Sequence, residues 1–546
     1  VPLPRPSDPT GPPSGAPRSD ARRSRLTGLA GSVTLAAGGA AAGALPVGGD
    51  FVPGPGWAAS GLAAAYFGLV LLVAGWILLG LAVRGPRPPR PRELLTTLAL
   101  WAAPLLVAPP LFSRDVYSYL AQGAMVDARL DVYAYGPSRL GGPLLAEVAP
   151  LWRDTPAPYG PVFLALASAV TGHGPDGPSA AEIAGGALGM RSVALGGVAL
   201  MTCCLLRLAR HCGTDPSAAL WLGALNPLVL LHLVGGAHND AVMIGLLCAG
   251  LAAALGGRHL TGTVLITLAA LVKAPAALGL LAVVALRARG PGGPPESPRT
   301  LRAQWASPVR LVRRGRRVRR GLEVRQALGA RSVLGVRRSP QVPPVPRARW
   351  TASVVAVAAA VGATTAVTTA LTGTGYGWLH ALSTPASLGN WALTASLGRL
   401  SSAVLTAAGD GPAVLARHAV PAWQLLGLAA CAAVIALVWR RHHLLRPVHA
   451  VGLGLLAVAL LGPAIRPWYV LWGLFLIAAA GPGRALRRLS TGASAVLALT
   501  VPPSGFAPGG PQLALAAAGG LLAAAVLWGV HRPALPPARR PLRSTA

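Results

Sequence analysis

The sequence predicts an all-α, polytopic membrane protein, and three observations predict it. Hydrophobic residues make up 53% of the 546 residues and charged residues 12%, for a mean hydropathy of +0.55. Apolar spans of bilayer-crossing length recur along the chain between short turns rich in Pro, Gly and Arg. The arginines also concentrate in alternate connections, as the positive-inside rule requires of a multi-pass protein.

Residues 1–25, rich in Pro, Ser and Arg, read as a disordered basic tail. The Ala/Gly-rich span 26–45 follows, with a cleaved signal peptide ending near Ala40-Ala41-Ala42 as the alternative. Spans 57–83 and 94–112 precede a large external loop, 113–181. Within that loop, 162–171 is apolar but about half the length a crossing needs, so it reads as a helix at or dipping into the membrane surface. Further spans are read at 182–206, 218–234, 240–255, 260–272, 275–286, 350–371, 418–439, 448–465, 468–480, 490–501 and 513–530. That makes about fourteen crossings, fewer if the pair broken at Lys273-Ala274-Pro275 is one bent helix.

Charge tests this topology. With both termini cytoplasmic, 39 of the 47 arginines fall inside, including 17 between Arg287 and Arg349. The chain then divides into the tail 1–25, an N-terminal transmembrane module 26–286, an Arg-rich cytoplasmic loop 287–349, a C-terminal transmembrane module 350–531 and a basic tail 532–546. The net charge of +32 would suggest a polyanion partner in a soluble protein. Here the run Arg310 to Arg320 reads as a solvated loop that fixes orientation and touches anionic lipid, not nucleic acid. The five cysteines show no metal-ligand spacing and read as small packing residues.

The outward face keeps ten of the sixteen acids and only nine cations, and chemistry is sought there. Asp115, flanked by Arg114, Tyr117 and Tyr119, follows the third span beside an apolar wall, where partial loss of hydration makes a carboxylate a better proton acceptor. Helix capping or a pair with Arg114 is the plainer reading. Lys273 is the only lysine, a compact charge suited to a phosphate, against a snorkelling cation at a helix end. Arg191 lies about ten residues inside a crossing and Arg466 at an outer turn, so the three could form a cationic pocket; structural ion pairs with Glu182 or Asp240 are the alternative. His238-Asn239-Asp240 either caps a helix or binds sugar hydroxyls and supplies a second acid or base. Trp378, Asn390 and Trp391 suit a pyranose face as well as a membrane interface. No cofactor is expected, although a divalent metal shared by Asp115 and Asp240 stays open.

Several pieces together carry a resemblance. They are Arg114-Asp115-Val116-Tyr117-Ser118-Tyr119 with Gln122-Gly123, Asp131 to Pro137, Ala157-Pro158-Tyr159-Gly160-Pro161, Asn226-Pro227 with Gly236-Ala237-His238-Asn239-Asp240, Val272-Lys273-Ala274-Pro275, and Arg466-Pro467-Trp468-Tyr469. In this order and on one side they resemble the actinobacterial polyprenol-phosphate-mannose-dependent α-(1→6)-mannopyranosyltransferases, integral membrane glycosyltransferases of the GT-C fold. The resemblance covers residues 94 to 480, and the Arg-rich loop departs from it. It implies a GT-C-like helical bundle in the plasma membrane with its active site outside, and Asp115 as the catalytic carboxylate acting on a polyprenyl-phosphate mannose donor. The acceptor would be a lipid-linked mannan or another glycan. Lys273, Arg191 and Arg466 would hold the donor phosphate, and Tyr117, Tyr119, Tyr159, His238, Asn239, Asp240, Asn390, Trp391 and Trp468 the sugar or acceptor. Two rival readings remain: a transporter or flippase of a lipid-linked sugar, and a GT-C transferase using another sugar such as arabinose.

Overall fold

The computed structural model describes residues 17–44, 54–171, 178–290, 345–381, 392–408, 413–441, 445–502 and 509–531. Among the described residues every regular element is helical. The first two helices, α1 (Pro17–Ala42) and α2 (Pro55–Val83), pack antiparallel along their length. Glycines set that distance: a Cβ on Gly31 would strike the backbone of Gly68 and Leu72, and one on Gly38 the backbone of Gly61 and Ala65. Small residues let helix backbones approach this closely where lipid gives no hydrophobic push. Because α1 begins at Pro17, residues 17–25 are helical and not part of a disordered tail. The Arg25 guanidinium explains part of this, since its Nε donates to Thr97 Oγ1 (2.9 Å) on α3 (Pro91–Val107).

After α3 the chain turns through Phe112, held at φ 61°, into α4 (Asp115–Asp127). The loop then forms two short helices, α5 (Gly142–Glu147) and α6 (Pro150–Arg153), and ends in α7 (Pro161–Val170). Helix α7 is ten residues long, as its span length predicts, and packs on α4 where Gly123 meets the Ala167 backbone. Next come α8 (Ala180–His211) and α9 (Pro216–Leu222). The expected crossing 218–234 is broken. Asn226 Oδ1 accepts from the Leu228 backbone N–H (3.0 Å), Pro227 lacks a donor, and the chain resumes as a π-helical turn, Val229–Gly235. That turn meets α10 (Asp240–Leu255) at a bend of 108°.

Helix α11 (His259–Ala270), a 3₁₀ turn (Ala274–Leu278) and α12 (Gly279–Arg289) complete the N-terminal half. Beyond it stand α13 (Arg347–Thr372), α14 (Trp378–Ala381), α15 (Leu393–Ala407), α16 (Ala413–Arg440) and α17 (Pro447–Leu461). A 3₁₀ turn (Pro467–Tyr469) leads into α18 (Val470–Ala480), followed by α19 (Arg484–Leu499) and α20 (Gly510–His531).

Five described helices are long and apolar enough to cross a membrane, or six counting the bent pair as one span. The other apolar helices among the described residues, such as α7, α11 and α17, are 10–17 residues long. Helices α13 and α16 are barely a tenth buried over their most apolar stretch, leaving Val355, Leu425 and Leu426 exposed. The core lies where α2, α8, α9, α10 and α18 meet. There the indoles of Trp76 and Trp221 stack at 5.4 Å, and each N–H donates to the other's backbone carbonyl (2.8 and 2.9 Å). Helical membrane protein is the architecture; the Arg-rich run and the C-terminal tail lie outside the described residues.

Candidate active site

Four turns separated widely in sequence meet at one place: the start of α4, the bend before α10, the turn before the 274–278 3₁₀ segment, and the turn before α18. Asp115 opens α4, and the Ser113 hydroxyl accepts from its backbone N–H (3.1 Å). A carboxylate in the first helical turn is favoured by the unpaired N–H groups there. Its side chain is nearly buried. Trp152 Nε1 on α6 donates to Oδ1 (3.0 Å), and His238 Nδ1 stands 3.7 Å from Oδ2, outside hydrogen-bond length.

His238 reaches this point because Ala237 adopts φ 53°, a left-handed conformation a residue with a Cβ rarely takes. Strain of this kind persists where surrounding packing over-determines it. The ring is fully buried, stacks on Trp468 at 3.9 Å, and shares a 3.1 Å hydrogen bond between Nδ1 and the Tyr119 hydroxyl. Burial pushes the phenols of Tyr119 and Tyr159 well above their ordinary range, so both stay neutral.

The second carboxylate is fully enclosed. Asp240 accepts from Lys273 Nζ on both oxygens (2.9 and 3.1 Å) and from Trp472 Nε1 on Oδ1 (2.6 Å). The ammonium also lies over the rings of Tyr469, Trp472 and Tyr159 at 4.5, 5.3 and 5.8 Å. No side-chain cap bond is made at the start of α10, so Asp240 serves the ion pair instead. A divalent ion shared with Asp115 would have to displace this ammonium, so the residues do not fit one. Tyr159 is delivered by Gly160, whose N–H donates to the Val272 carbonyl (3.4 Å) while Val162 N–H donates to that of Leu271 (3.2 Å). A Cβ at Gly160 would collide with the Leu271 carbonyl.

The structure thus gathers Asp115, Tyr119, Tyr159, His238, Asp240, Lys273 and Trp468. Asn239 adjoins them, its side-chain amide buried without a partner among the described residues. Arg466 precedes Trp468 and lies within electrostatic reach of His238. Two predicted residues point elsewhere. Tyr117 donates from its hydroxyl to the Ala44 carbonyl (2.6 Å), because two positions along a helix turn a side chain through about 200° and send it away from Tyr119. The Arg191 guanidinium donates to the carbonyls of Leu106 (2.7 Å) and Gly235 (3.1 Å), tying α3 to the π-helical turn. Glu182 forms a capping box with Ser179 and does not reach Arg191. Asn390 and Trp391 lie outside the described residues. Trp152 and Trp472, the indole donors to the two carboxylates, carried no sequence signal, since each lies far along the chain from the acid it serves.

These turns hold the pieces by which the sequence resembles a known family, and comparison decides the matter. The family described as alpha-(1->6)-mannopyranosyltransferase, N-terminal domain, matches residues 25–289, and the MptB C-terminal domain matches residues 395–529. Alpha-(1->6)-mannopyranosyltransferase A of Mycobacterium tuberculosis is 32% identical over 444 residues, 80% of this chain and 75% of the relative. The chain belongs to the alpha-(1->6)-mannopyranosyltransferase family. Alpha-(1->6)-mannopyranosyltransferase B of Corynebacterium glutamicum is similar too, 30% identical over 493 residues, 83% of this chain and 72% of the relative. No solved structure matches. As a member of this family the protein is a glycosyltransferase, and its site must accommodate a sugar donor and a glycan acceptor.

Proposed function

We propose that this transferase moves mannose from polyprenyl-phosphate mannose to a growing lipid-linked mannan of the cell envelope, forming α-(1→6) linkages. The reaction is an inverting single displacement on the outer face of the plasma membrane, with both termini of the chain cytoplasmic. The observation behind this reading is the Asp115 carboxylate: one oxygen is held by an indole N–H, while Oδ2 lies 3.7 Å from the nearest ring nitrogen, in a site walled by aromatic faces.

Oδ2 takes the proton from an acceptor hydroxyl as that oxygen attacks the anomeric carbon. The bond from that carbon to the phosphate oxygen breaks, and its electron pair leaves with the polyprenyl phosphate. Lys273 and Arg466 supply the positive charge that stabilises the departing phosphate. Arg191, bound to two backbone carbonyls, holds the scaffold instead. Aromatic faces at Tyr119, Tyr159 and Trp468, with the Asn239 amide and His238, suit a pyranose that is apolar on its face and polar at its edge. The prenyl chain lies against the apolar helices, and the Arg-rich loop contacts anionic lipid on the inner side.

Transfer of labelled mannose from polyprenyl-phosphate mannose tests this in membranes carrying the native chain or Asp115→Asn at equal abundance. Transfer by the native chain alone is expected. Undiminished transfer by the variant would remove Asp115 from the mechanism, and no transfer by the native chain would remove this donor.

A further inference from the structure

Trp152 is the group nearest to Asp115 that neither the family motifs nor the sequence reading assigns. It sits 37 positions downstream on α6, a four-residue helix between Pro150 and Arg153. Three further contacts bring that helix to the carboxylate. Arg114 Nε donates to the Glu147 carbonyl (2.9 Å), and its terminal nitrogen meets Glu147 Oε2 at 2.5 Å, with the Glu147 side chain buried. Arg153 Nε donates to the Val148 carbonyl (3.1 Å), closing the turn between α5 and α6. The 142–153 segment is thereby clamped to the residue beside Asp115, and its indole N–H is aimed at Oδ1.

Building on the assignment of Asp115 as proton acceptor, we infer that Trp152 is a positioning residue: its N–H fixes Oδ1 so that Oδ2 alone is presented to the acceptor hydroxyl. A carboxylate on two rotatable bonds otherwise samples many orientations, and a hydrogen bond to one oxygen selects a single one. A donor to a charged oxygen is also stronger than a neutral pair. Indole suits the task, because it donates once, accepts nothing, and cannot take the proton Asp115 must receive. The other titratable and charged groups facing Asp115 are His238, Tyr119, Tyr159, Lys273 and the adjacent Arg114. All of them stay unchanged when Trp152 is altered.

The test compares the native chain, Trp152→Phe, Asp115→Asn and the double variant in the full-length protein reconstituted in vesicles, with polyprenyl-phosphate mannose as donor. Because Phe could also loosen the loop, a second variant carries benzothienylalanine at position 152, which keeps the bicyclic shape and lacks the N–H. Both Trp152 variants are expected to lose about 10- to 100-fold in kcat with donor KM little changed. In the Asp115→Asn background the Phe change should cost nothing further. Native kcat in the benzothienylalanine variant would overturn the inference, as would a loss confined to KM. Full activity in Asp115→Asn would instead overturn the assignment of Asp115 on which the inference rests.

Discussion

The Lys273 ammonium donates to both oxygens of Asp240, in a box whose walls are Tyr159, Tyr469 and Trp472. Breaking such a pair on one side leaves a buried charge without its partner, which costs about 3–5 kcal/mol. Lys273→Ala and Asp240→Leu should each lower the thermal unfolding temperature in detergent markedly. Lys273→Met combined with Asp240→Leu should recover much of that stability, because both charges leave together. Transfer activity should not return with it, since the phosphate then lacks its cation. Recovery of transfer in the double variant would make the pair purely structural.

Arg191 gives a contrasting expectation. Its two hydrogen bonds to the Leu106 and Gly235 carbonyls join α3 to the turn that carries His238, and each is a charged donor to a backbone group. Such bonds contribute about 1.5–3 kcal/mol each. Arg191→Met should therefore unfold at lower temperature, while the folded fraction keeps its KM for the donor. A large rise in KM with stability unchanged would put Arg191 on the phosphate.

At Gly160 the limit is space. An alanine Cβ would meet the Leu271 carbonyl, and the chain cannot retreat without losing the bonds from Gly160 and Val162 to Val272 and Leu271. Gly160→Ala should cost about 1–3 kcal/mol of stability and shift Tyr159 off the Lys273 ammonium, reducing transfer. Gly185, on an open face of α8 with nothing within 4 Å, is the control. There Gly→Ala should be neutral or stabilise by about 0.5–1 kcal/mol, as expected for a helix interior. Thermal unfolding and labelled-mannose transfer on the two variants separate these outcomes.

These residues also show what a sequence can reveal. Asp115, His238, Asp240, Lys273 and Trp468 lie in short polar or aromatic runs that interrupt apolar spans, so their places at helix ends were legible by composition and order alone. Their partners were not. Trp472 serves Asp240 across 232 positions and Trp152 serves Asp115 across 37, and nothing local distinguishes them from other tryptophans. Hydropathy read 218–234 as one crossing because it sums side chains and is blind to backbone; Asn226-Pro227 and the π-helical turn decide the path there. Composition likewise made residues 17–25 a tail, whereas packing of α1 on α2 and the bond from Arg25 to Thr97 extend the helix through them.

His238 separates stacking from hydrogen bonding. Its ring lies on Trp468 at 3.9 Å, and its Nδ1 meets the Tyr119 hydroxyl at 3.1 Å with Asp115 Oδ2 at 3.7 Å. Phe at this position keeps an aromatic face for Trp468 and removes the nitrogen, whereas Ala removes both. His238→Phe should retain most of the thermal stability and lose about 10- to 100-fold in kcat if the nitrogen orients the carboxylate or the acceptor hydroxyl it deprotonates. His238→Ala should lose activity and also stability, by the 2 kcal/mol or more, roughly, that an emptied aromatic site costs. Tyr119→Phe decides how the nitrogen acts. If the phenol only holds the imidazole, Tyr119→Phe should reproduce a fraction of the His238→Phe loss, and the double variant should be no worse than His238→Phe alone. Losses that multiply would mean that Tyr119 acts on the substrate by its own route. Unchanged kcat in His238→Phe would leave this histidine to the packing of the bend.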